Sequence, residues 1–398
     1  MKTESKLIKE FQSIFHTTQS PRVFFAPGRI NLIGEHTDYN GGHVFPASIS
    51  YGTYALGATR NDQKLRFYSL NFPEKGIIEC DLQDLDYKEE NDWANYPKGM
   101  FLLLKQAGYT ISNGADILFH GNIPNGAGLS SSASIELVTG ALVEGLYNQT
   151  IDSLEMIKLG QKVENDYIGV NSGIMDQFAI GMGKKDHAIL LNCDTLDYHY
   201  APINLADHVI MIINTNKKRS LAGSKYNERR RECEAALTDL QKELNIHSLG
   251  ELSKGEFERK KHLITNKVNQ KRAKHAVYEN ARTLEAFDKL QQGDLDAFGK
   301  LMNCSHISLR DDYEVTGKEL DTIAEAAWDQ EGVLGARMTG AGFGGCAIAI
   351  VERDKAEAFE KNVNAIYREE VGYEATFYTA AIGDGTKEIT EATGGLLQ

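Results

Sequence analysis

Apolar side chains recur at helical spacing in several parts of the chain. Residues 4–16 place a set of them, from Leu7 to Phe15, on one face, which is typical of a short amphipathic helix. Similar patterns predict further helices at 95–107, 131–147, 153–167, 224–245 and 354–368. The polar stretch that continues to about residue 330 also has a helical pattern.

Shorter apolar or alternating runs, bounded by turn residues, predict strands. These runs lie at 22–25, 51–59, 64–70, 77–82, 115–120, 187–193, 208–214, 346–351 and 375–382. Because strands and helices mix irregularly along the chain, the pattern indicates an α+β fold rather than a regular series of βαβ units.

The chain has 398 residues, more than the roughly 100–200 residues of one typical domain core. We therefore expect two domains, an N-terminal one at 1–195 and a C-terminal one at 196–398. The longest strongly apolar run, residues 346–351, is far shorter than the ~20 residues of a membrane helix. Charged residues stand near the start where a signal peptide needs an apolar stretch, so the sequence predicts a cytoplasmic protein without membrane association.

Charge and cysteine content exclude several classes of protein. A net charge of −13 argues against nucleic-acid binding, which needs a broad positive face. The five cysteines are scattered, and no CxxC or Cys/His pair has zinc spacing, so we expect neither a disulfide framework nor a structural metal site. Because the chain is negatively charged overall, an anionic substrate would have to be held by groups close to its binding site.

The first glycine-rich loop, residues 124–134, joins a predicted strand to a predicted helix and contains Gly126 and Gly128 followed by three serines. Free N–H groups and the positive dipole end of that helix would face an anion at Ser130 to Ser132. The alternative is a plain serine N-cap after a turn. Two glycines and three serines exceed what a cap requires, which favours a phosphate site. No GxxxxGK[ST] motif occurs, so the loop is not that of a P-loop NTPase.

The second glycine-rich loop, residues 335–346, contains the letters of a GxGxxG dinucleotide motif at 340–345. That motif has to follow a strand and open a helix. Here the glycines lead into the predicted strand at 346–351, so the dinucleotide interpretation fails on context. What remains is a glycine-rich connection able to lie close to a ligand or to another loop.

The third loop, residues 26–42, carries Arg29, Glu35, His36 and Asp38 among glycines, directly after a predicted strand. Carboxylates in a short rigid loop suit a polyol, because each can accept hydrogen bonds from neighbouring hydroxyls. A polar surface turn with a solvated histidine explains the same composition equally well. Composition alone therefore leaves both interpretations open.

Taken together, the three loops resemble those of the GHMP kinases. Residues 124–133 and 340–345 are similar to the nucleotide loop and the C-terminal glycine motif of that family. Residues 28–42 resemble the narrower galactokinase signature over their whole length, and residues 305–314 are also similar to galactokinases. The resemblance extends from about residue 22 to about residue 382. It implies an α+β, two-domain GHMP kinase fold with the active site in the cleft between the domains.

The resemblance also implies a reaction and its residues. Galactokinases use ATP and Mg²⁺ to make α-D-galactose 1-phosphate from D-galactose. Asp176 matches the catalytic base and Arg29 its partner, while Ser132 and Glu164 match the magnesium positions. The implied substrate-binding positions are Glu35, His36, Thr37, Asp38 and Tyr226. The implied ATP-binding positions are Ser69, Gly126, Ala127, Gly128, Leu129, Ser130, Ser131 and Ser132.

Elementary chemistry agrees with these roles. Phosphoryl transfer depends mainly on positioning and charge stabilisation, and an aspartate within hydrogen-bond reach can take the proton of the attacking hydroxyl. A neighbouring guanidinium such as that of Arg29 would offset the developing charge. Without the resemblance, Asp176 is a polar residue near a helix start, Glu164 is an exposed helical acid and Tyr226 is a packing aromatic.

Two alternative functions remain open at this stage. Another GHMP kinase, acting on N-acetylgalactosamine, arabinose or a non-sugar alcohol, would share the nucleotide loop, although homoserine and mevalonate kinases should lack residues 34–38. A galactose sensor would bind both ligands without catalysis, but such paralogues carry a damaged nucleotide loop, whereas residues 130–134 are intact here. We therefore predict an enzyme that binds galactose and ATP. We also expect it to be a monomer, although the sequence itself carries no signal for the oligomeric state.

Overall fold

The computed structural model of the protein describes residues 3–124, 127–217 and 222–389. The α-helices in these ranges are α1 (Thr3–Phe15), α2 (Asn95–Gln106), α3 (Ser131–Leu146), α4 (Ser153–Lys162), α5 (Met175–Gly181), α6 (Ala222–Leu240), α7 (Lys254–Lys260), α8 (Lys267–Gln291), α9 (Leu295–Ser308), α10 (Lys318–Trp328) and α11 (Ala356–Val371). Within the described ranges, none is both long and apolar enough to cross a bilayer.

The strands form three sheets. They are β1 (Arg22–Asn31), β2 (His43–Val44), β3 (Pro46–Thr59), β4 (Lys64–Ser69), β5 (Ile78–Asp81), β6 (Ala115–Gly121), β7 (His187–Asn192), β8 (Tyr198–Pro202), β9 (His208–Asn214), β10 (Val333–Thr339), β11 (Cys346–Glu352), β12 (Thr376–Ala380) and β13 (Lys387–Glu388). A six-stranded sheet has the order β13-β1-β3-β6-β4-β5, a four-stranded sheet the order β10-β11-β9-β12, and a small sheet the order β2-β7-β8. All strand pairs are antiparallel except β4 with β6.

One face of the six-stranded sheet is covered by helices α2 to α5. The buried side of α3 supplies Leu137, Val138 and Leu142, which join Phe24 of β1 and Ala55 of β3 in one core. These apolar positions recur at helical spacing, so α3 buries a continuous stripe along the sheet. Burial of that stripe fixes where α3 begins, beside the end of β1.

The second half of the chain packs helices α6, α7, α8, α10 and α11 in one core with the four-stranded sheet. A third core joins the two halves, with Ile30 and Phe45 from the first half packed together with Ile212, Phe298 and Ile348 from the second. The two halves therefore share a packed interface, and the loop that follows β1 lies at it.

The predicted α+β fold class is confirmed, since helices and mixed sheets alternate irregularly. Three stretches that bear on the site differ from the predicted pattern. The first part of the loop predicted at 335–346 is strand β10, Val333–Thr339. The helix predicted at 153–167 ends as α4 at Lys162 and continues as a π-helical turn, Val163–Ile168. Strand β1 continues past the predicted 22–25 to Asn31 and shifts register between Pro27 and Arg29. The division at 1–195 and 196–398 stays a prediction.

Candidate active site

A cavity of about 500 Å³ lies where the two halves meet. The loop after β1, the loop before α3 and the start of α5 line it from the first half, while α6 and the loop after β10 line it from the second. The predicted site residues that line it are Arg29, Glu35, His36, Asp38, Ala127, Gly128, Leu129, Ser130, Ser131, Ser132, Glu164, Asp176 and Tyr226. The three loops singled out by the sequence thus converge on one cavity.

Helix α3 points its N-terminus at the cavity. Ser130 stands at the N-cap with φ 63° and ψ 50°, and its side chain does not cap the helix. The hydroxyl donates to Asp176 instead. The first N–H groups of α3 therefore lack the serine cap that was the alternative explanation of this loop. They lie at the positive end of the helix dipole, an arrangement that favours an anion.

Asp176 lies in the first turn of α5 and is held by two groups. The Arg29 guanidinium makes a two-pronged contact, from Nε to Oδ1 at 2.8 Å and from Nη2 to Oδ2 at 2.9 Å. Arg29 is almost fully buried, whereas the side chain of Asp176 is 28% exposed. Arg29 also donates from Nη1 to the carbonyl of Gly128 at 2.8 Å. One arginine therefore links the carboxylate to the glycine-rich loop before α3.

Glu35 is buried at the bottom of the loop after β1. Its Oε1 accepts from the Gly340 N–H, and its Oε2 accepts from Asn31 Nδ2. Arg337 of β10 lies 3.3 Å from Oε2. Burial raises the pKa of Glu35, and the Arg337 charge acts in the opposite direction. This carboxylate joins the loop after β1 to the loop after β10.

Asp38 faces the cavity beside Gly173. A methyl group on Gly173 would lie 1.8 Å from the Asp38 carboxylate, so only glycine permits this contact. Burial raises the pKa of Asp38 to about 7, and the negative charge of Asp176 acts in the same direction. Asp38 and Asp176 are thus close enough to influence each other in one cavity.

His36 and Tyr226 form the aromatic side of the cavity. Their ring centroids are 5.7 Å apart, and Tyr226 also lies 5.3 Å from the ring of Tyr39. Both ring nitrogens of His36 have partners, Nδ1 with Tyr39 OH at 2.7 Å and Nε2 with the Ala341 carbonyl at 3.2 Å. Burial lowers the pKa of His36 to about 3, so the ring is neutral near pH 7.

Ser132 and Glu164 lie on the cavity wall, on α3 and on the π-helical turn that follows α4. The Glu164 carboxylate accepts a hydrogen bond from Ser132, which lowers its pKa against the larger raising effect of burial. A hydroxyl and a carboxylate at the edge of a phosphate site are the few oxygen ligands that Mg²⁺ takes from a protein when substrate phosphates supply others. The pair therefore fits a magnesium ion.

Three of the predicted positions are not on the described cavity wall. Thr37 is buried and donates its hydroxyl to backbone carbonyls of its own loop, those of Gly34 at 2.8 Å and His43 at 2.6 Å. Ser69 is buried at the end of β4, where its hydroxyl accepts from the Asn71 N–H. Gly126 lies outside the described residues.

Several residues of the site were missed by the sequence interpretation. Gly173 fits against Asp38, Arg337 lies behind Glu35, and Tyr39 bonds to His36. Tyr39 lies inside the 28–42 segment and Gly173 three residues before Asp176, so proximity to a motif was an available signal. Arg337 had a weaker one, as the only charged residue in the glycine-rich loop predicted at 335–346.

Family models and known relatives give this geometry its context. The Galactokinase galactose-binding signature matches residues 9–59, the GHMP kinases N terminal domain residues 95–184, and the GHMP kinases C terminal model residues 285–369. A galactokinase of Ligilactobacillus salivarius is 57% identical over 97% of this chain and 100% of its own length. A galactokinase of Exiguobacterium sibiricum is 59% identical over 98% of this chain and 99% of its own length.

The chain belongs to the galactokinase family. A crystal structure of a Lactococcus lactis galactokinase in complex with galactose superposes on it with a TM-score of 0.96 at 55% identity, covering 98% of this chain and all of the other. The Methanococcus jannaschii mevalonate kinase, 19% identical, shares the fold with a TM-score of 0.65 over 92% of this chain and 100% of its own. The galactokinase family consists of GHMP kinases, which are phosphotransferases that use ATP, so the protein is a kinase with small-molecule substrates.

Proposed function

We propose that the protein transfers the terminal phosphoryl group of ATP to the anomeric hydroxyl of D-galactose, giving α-D-galactose 1-phosphate and ADP. One observation carries the assignment of roles. Asp176, clamped by Arg29, opens onto the same cavity as the acidic loop after β1 and the N-terminus of α3. A site for a polyol thus adjoins a site for phosphate, with a carboxylate between them.

ATP is proposed to bind with its phosphates at the start of α3. The backbone of Ala127 to Ser132 lines the cavity there, and the helix dipole and free N–H groups favour a polyanion. Gly126 belongs to the same loop in the sequence. Ser69 is proposed to contribute to nucleotide binding from the end of β4, as the family resemblance implies.

The sugar is proposed to lie against Glu35, Asp38 and Tyr226. An ionised carboxylate accepts from two neighbouring hydroxyls, and an aromatic ring covers the apolar face of a hexose. His36 and Thr37 complete this part of the site. Thr37 bonds within its own loop, so its contribution is to hold the loop in the shape that presents the acids.

Asp176 is proposed to act as the general base. As the anomeric oxygen attacks, the Asp176 carboxylate takes its proton, which requires hydrogen-bond distance between the two oxygens. Arg29 fixes both carboxylate oxygens and places its positive charge beside the nucleotide loop, where negative charge develops on the transferred group. Positioning and charge are the main contributions that a protein makes to this reaction.

Ser132 and Glu164 are proposed to hold Mg²⁺. When bound, the ion would neutralise charge on the ATP phosphates, the usual contribution of magnesium to phosphoryl transfer. Glu164 would supply a carboxylate oxygen and Ser132 a hydroxyl, and the two side chains are hydrogen-bonded to each other on the cavity wall.

A panel of acceptors tests the proposed function. Purified protein with MgATP is assayed on D-galactose, N-acetylgalactosamine, arabinose and glucose, and the product is identified by phosphorus NMR as the α-1-phosphate. We expect the highest kcat/KM for D-galactose. Equal or better turnover of another sugar, or phosphate on another hydroxyl, would overturn the assignment.

We also propose that the protein works as a monomer in the cytoplasm. The five cysteines, all of them within the described residues, are free thiols, which suits a reducing compartment. Size-exclusion chromatography with light scattering should give one chain's mass of 44.1 kDa.

A further inference from the structure

The segment at residues 305–314, singled out in the sequence, has no part in the proposed chemistry. It covers the end of α9 and the π-helical turn Leu309–Tyr313. Tyr313 at the end of this turn is fully buried, and its ring lies 4.8 Å from that of His36. A residue almost 280 positions away in the chain therefore lies directly behind the loop after β1.

A chain of hydrogen bonds runs from Tyr313 to the cavity. Its hydroxyl lies 2.8 Å from the Tyr39 hydroxyl, which lies 2.7 Å from Nδ1 of His36. Behind it, the Cys233 thiol of α6 lies 3.2 Å from the Tyr313 hydroxyl. On the far side, Nε2 of His36 lies 3.2 Å from the Ala341 carbonyl. The chain thus links α6, the π-helical turn, the loop after β1 and the loop after β10.

The partners fix the direction of every bond in this chain. A carbonyl only accepts, so Nε2 of His36 carries the proton that reaches Ala341. In a neutral imidazole the other nitrogen, Nδ1, is then an acceptor, and the Tyr39 hydroxyl has to donate to it. Because the Tyr39 proton is used in that bond, the Tyr313 hydroxyl has to donate to the Tyr39 oxygen. The Cys233 thiol then donates to the Tyr313 oxygen. Burial lowers the pKa of His36 to about 3, in accord with the neutral ring that this order needs.

The same chain supports the wall of the cavity. Tyr226 packs on the rings of His36 and Tyr39, at 5.7 and 5.3 Å. His36 itself has φ 61°, a left-handed conformation that is unfavourable for a non-glycine residue. Bonds at both ring nitrogens hold it there. Loss of the bond at Nδ1 would free the ring to turn and would loosen both Ala341 and Tyr226.

We propose that Tyr39 and Tyr313 are positioning residues for the sugar site, which act through His36 by fixing its tautomer and ring so that it holds the loop after β10 and supports Tyr226. The inference rests on the proposed function for the identity of the sugar, but the hydrogen-bond chain exists without it. It also gives the 305–314 segment a role, since Tyr313 is the contribution of that segment to the site.

Tyr39→Phe and Tyr313→Phe test the kinetic part, because phenylalanine keeps each ring and removes only the hydroxyl. We expect KM for galactose to rise by about tenfold in Y39F and by about threefold in Y313F, the scale of one lost buried hydrogen bond. KM for ATP and kcat should stay within about twofold of wild type. Tyr109→Phe is the matched control, since its hydroxyl bonds to Glu155 on the surface of the first half.

Nitrogen-15 NMR of the histidine rings, in protein without sugar or nucleotide, tests the chain itself. Wild type should show His36 protonated at Nε2 with a hydrogen-bonded Nδ1, and Y39F should move Nδ1 toward the shift of an unbonded imidazole nitrogen. A proton on Nδ1 in wild type, or an unchanged Nδ1 in Y39F, overturns the proposal.

The two arms separate the inference from the proposed function. An unchanged galactose KM in folded Y39F and Y313F, with wild type active on galactose, overturns the positioning role and leaves the proposed function intact. Failure of wild type to phosphorylate galactose overturns the proposed function, and the NMR comparison still decides the chain. Should Y39F fail to fold, Y313F supplies the kinetic readout, and the position of the proton on His36 in the wild-type spectrum still decides the order of the bonds.

Discussion

Asp176 is the residue on which the proposed reaction depends most directly. Its carboxylate is partly exposed to the cavity, while the arginine that clamps it is buried. Arg29 fills one side of each carboxylate oxygen at 2.8 and 2.9 Å, and Ser130 donates to Oδ2. Oδ2 therefore accepts two hydrogen bonds and Oδ1 one, so Oδ1 can still accept from an incoming hydroxyl, as a general base must.

Asp176→Asn should keep the fold and galactose affinity and lower kcat by about 100-fold or more, the usual scale of a general base. An amide has nearly the shape of the carboxylate but cannot take the proton. Steady-state kinetics gives kcat, and calorimetry gives the affinity for galactose. Asp186→Asn, at an exposed turn, is the control. A D176N enzyme with near-native kcat would reduce Asp176 to a structural partner of Arg29.

The pKa of Asp38 leads to a prediction of how sugar binding depends on pH. Its pKa is raised to about 7, mainly by burial and further by the charge of Asp176. A raised pKa means that the ionised form, which is the form proposed to accept hydrogen bonds from two sugar hydroxyls, predominates above pH 7 and is lost as the pH falls through 7. His36, with a pKa of about 3, stays neutral over the same range and adds no competing change.

We therefore expect the dissociation constant of galactose to rise by about tenfold between pH 8 and pH 6, as the binding-competent fraction of Asp38 falls. Isothermal titration calorimetry without nucleotide measures it. Asp38→Asn should bind more weakly at pH 8 and show a flat profile over this range. A flat profile in wild type would mean that Asp38 does not bind sugar as a carboxylate.

At the scale of elements, local sequence patterns predicted the helices and strands that depend on local interactions. The helix at 131–147 and the strand at 346–351 were predicted because apolar spacing and turn glycines are local signals, and they appear as α3 and β11. Strand β10 was not predicted. Its buried Arg337 looks like a surface residue in the sequence, and only Glu35, 302 positions away, explains the burial.

The candidate site also consists of parts that the sequence reveals and parts that it does not. The loops and Asp176 are visible as motifs, but the wall behind them depends on pairs such as Tyr39 with Tyr313, separated by 274 residues. A hydrogen bond between two distant tyrosines produces neither a periodic pattern nor a bias in composition by which the sequence could reveal it. The π-helical turns at Val163–Ile168 and Leu309–Tyr313 were missed for a related reason, since their sequences do not differ from those of ordinary helix ends.

The loop after β10 gives a prediction at this scale. Gly340 has φ 86°, and a methyl group on it would lie 3.0 Å from the Gly128 carbonyl. Gly372, at the end of α11, has φ 94° and open space around it. Alanine at either position should lower the free energy of unfolding by about 1–2 kcal/mol, the cost of a left-handed conformation.

Only Gly340→Ala should also impair the enzyme. The added methyl group would displace the Gly128 carbonyl by a few tenths of an ångström, in the loop proposed to bind nucleotide. We expect kcat/KM to fall by about tenfold as a result. Urea unfolding of G340A and G372A gives the free energy of unfolding of each variant, and steady-state kinetics gives its kcat/KM. Equal kcat/KM values in the two variants would show that the two glycine-rich loops are not in functional contact.

For the molecule as a whole, the two halves are joined by apolar packing and by a buried ion pair. Ile30 of the first half packs with Ile348 of the second in a common core. Arg337 and Glu35 lie across the same interface, with side chains 0% and 1% exposed and 3.3 Å between the charged atoms. The Nε of Arg337 has no hydrogen-bond partner within the described parts of the chain, so this guanidinium is incompletely satisfied.

That incomplete satisfaction predicts an asymmetry. Removing one partner leaves a buried charge alone, so Arg337→Met should lower the free energy of unfolding by about 3–5 kcal/mol. Removing both, in E35Q/R337M, replaces a costly buried pair by neutral groups. The double variant should then be more stable than the sum of the single changes by about 1–3 kcal/mol.

Urea unfolding of wild type, E35Q, R337M and the double variant closes the cycle. The exposed pair of Lys64 and Glu79 provides a parallel cycle in which solvent screens both charges. Its coupling free energy should be far smaller than that of Glu35 and Arg337. Additive losses at Glu35 and Arg337 would show that the two charges do not stabilise each other. The contact between the halves would then rest on apolar packing alone, and Glu35 would be held in the site by the Gly340 and Asn31 hydrogen bonds.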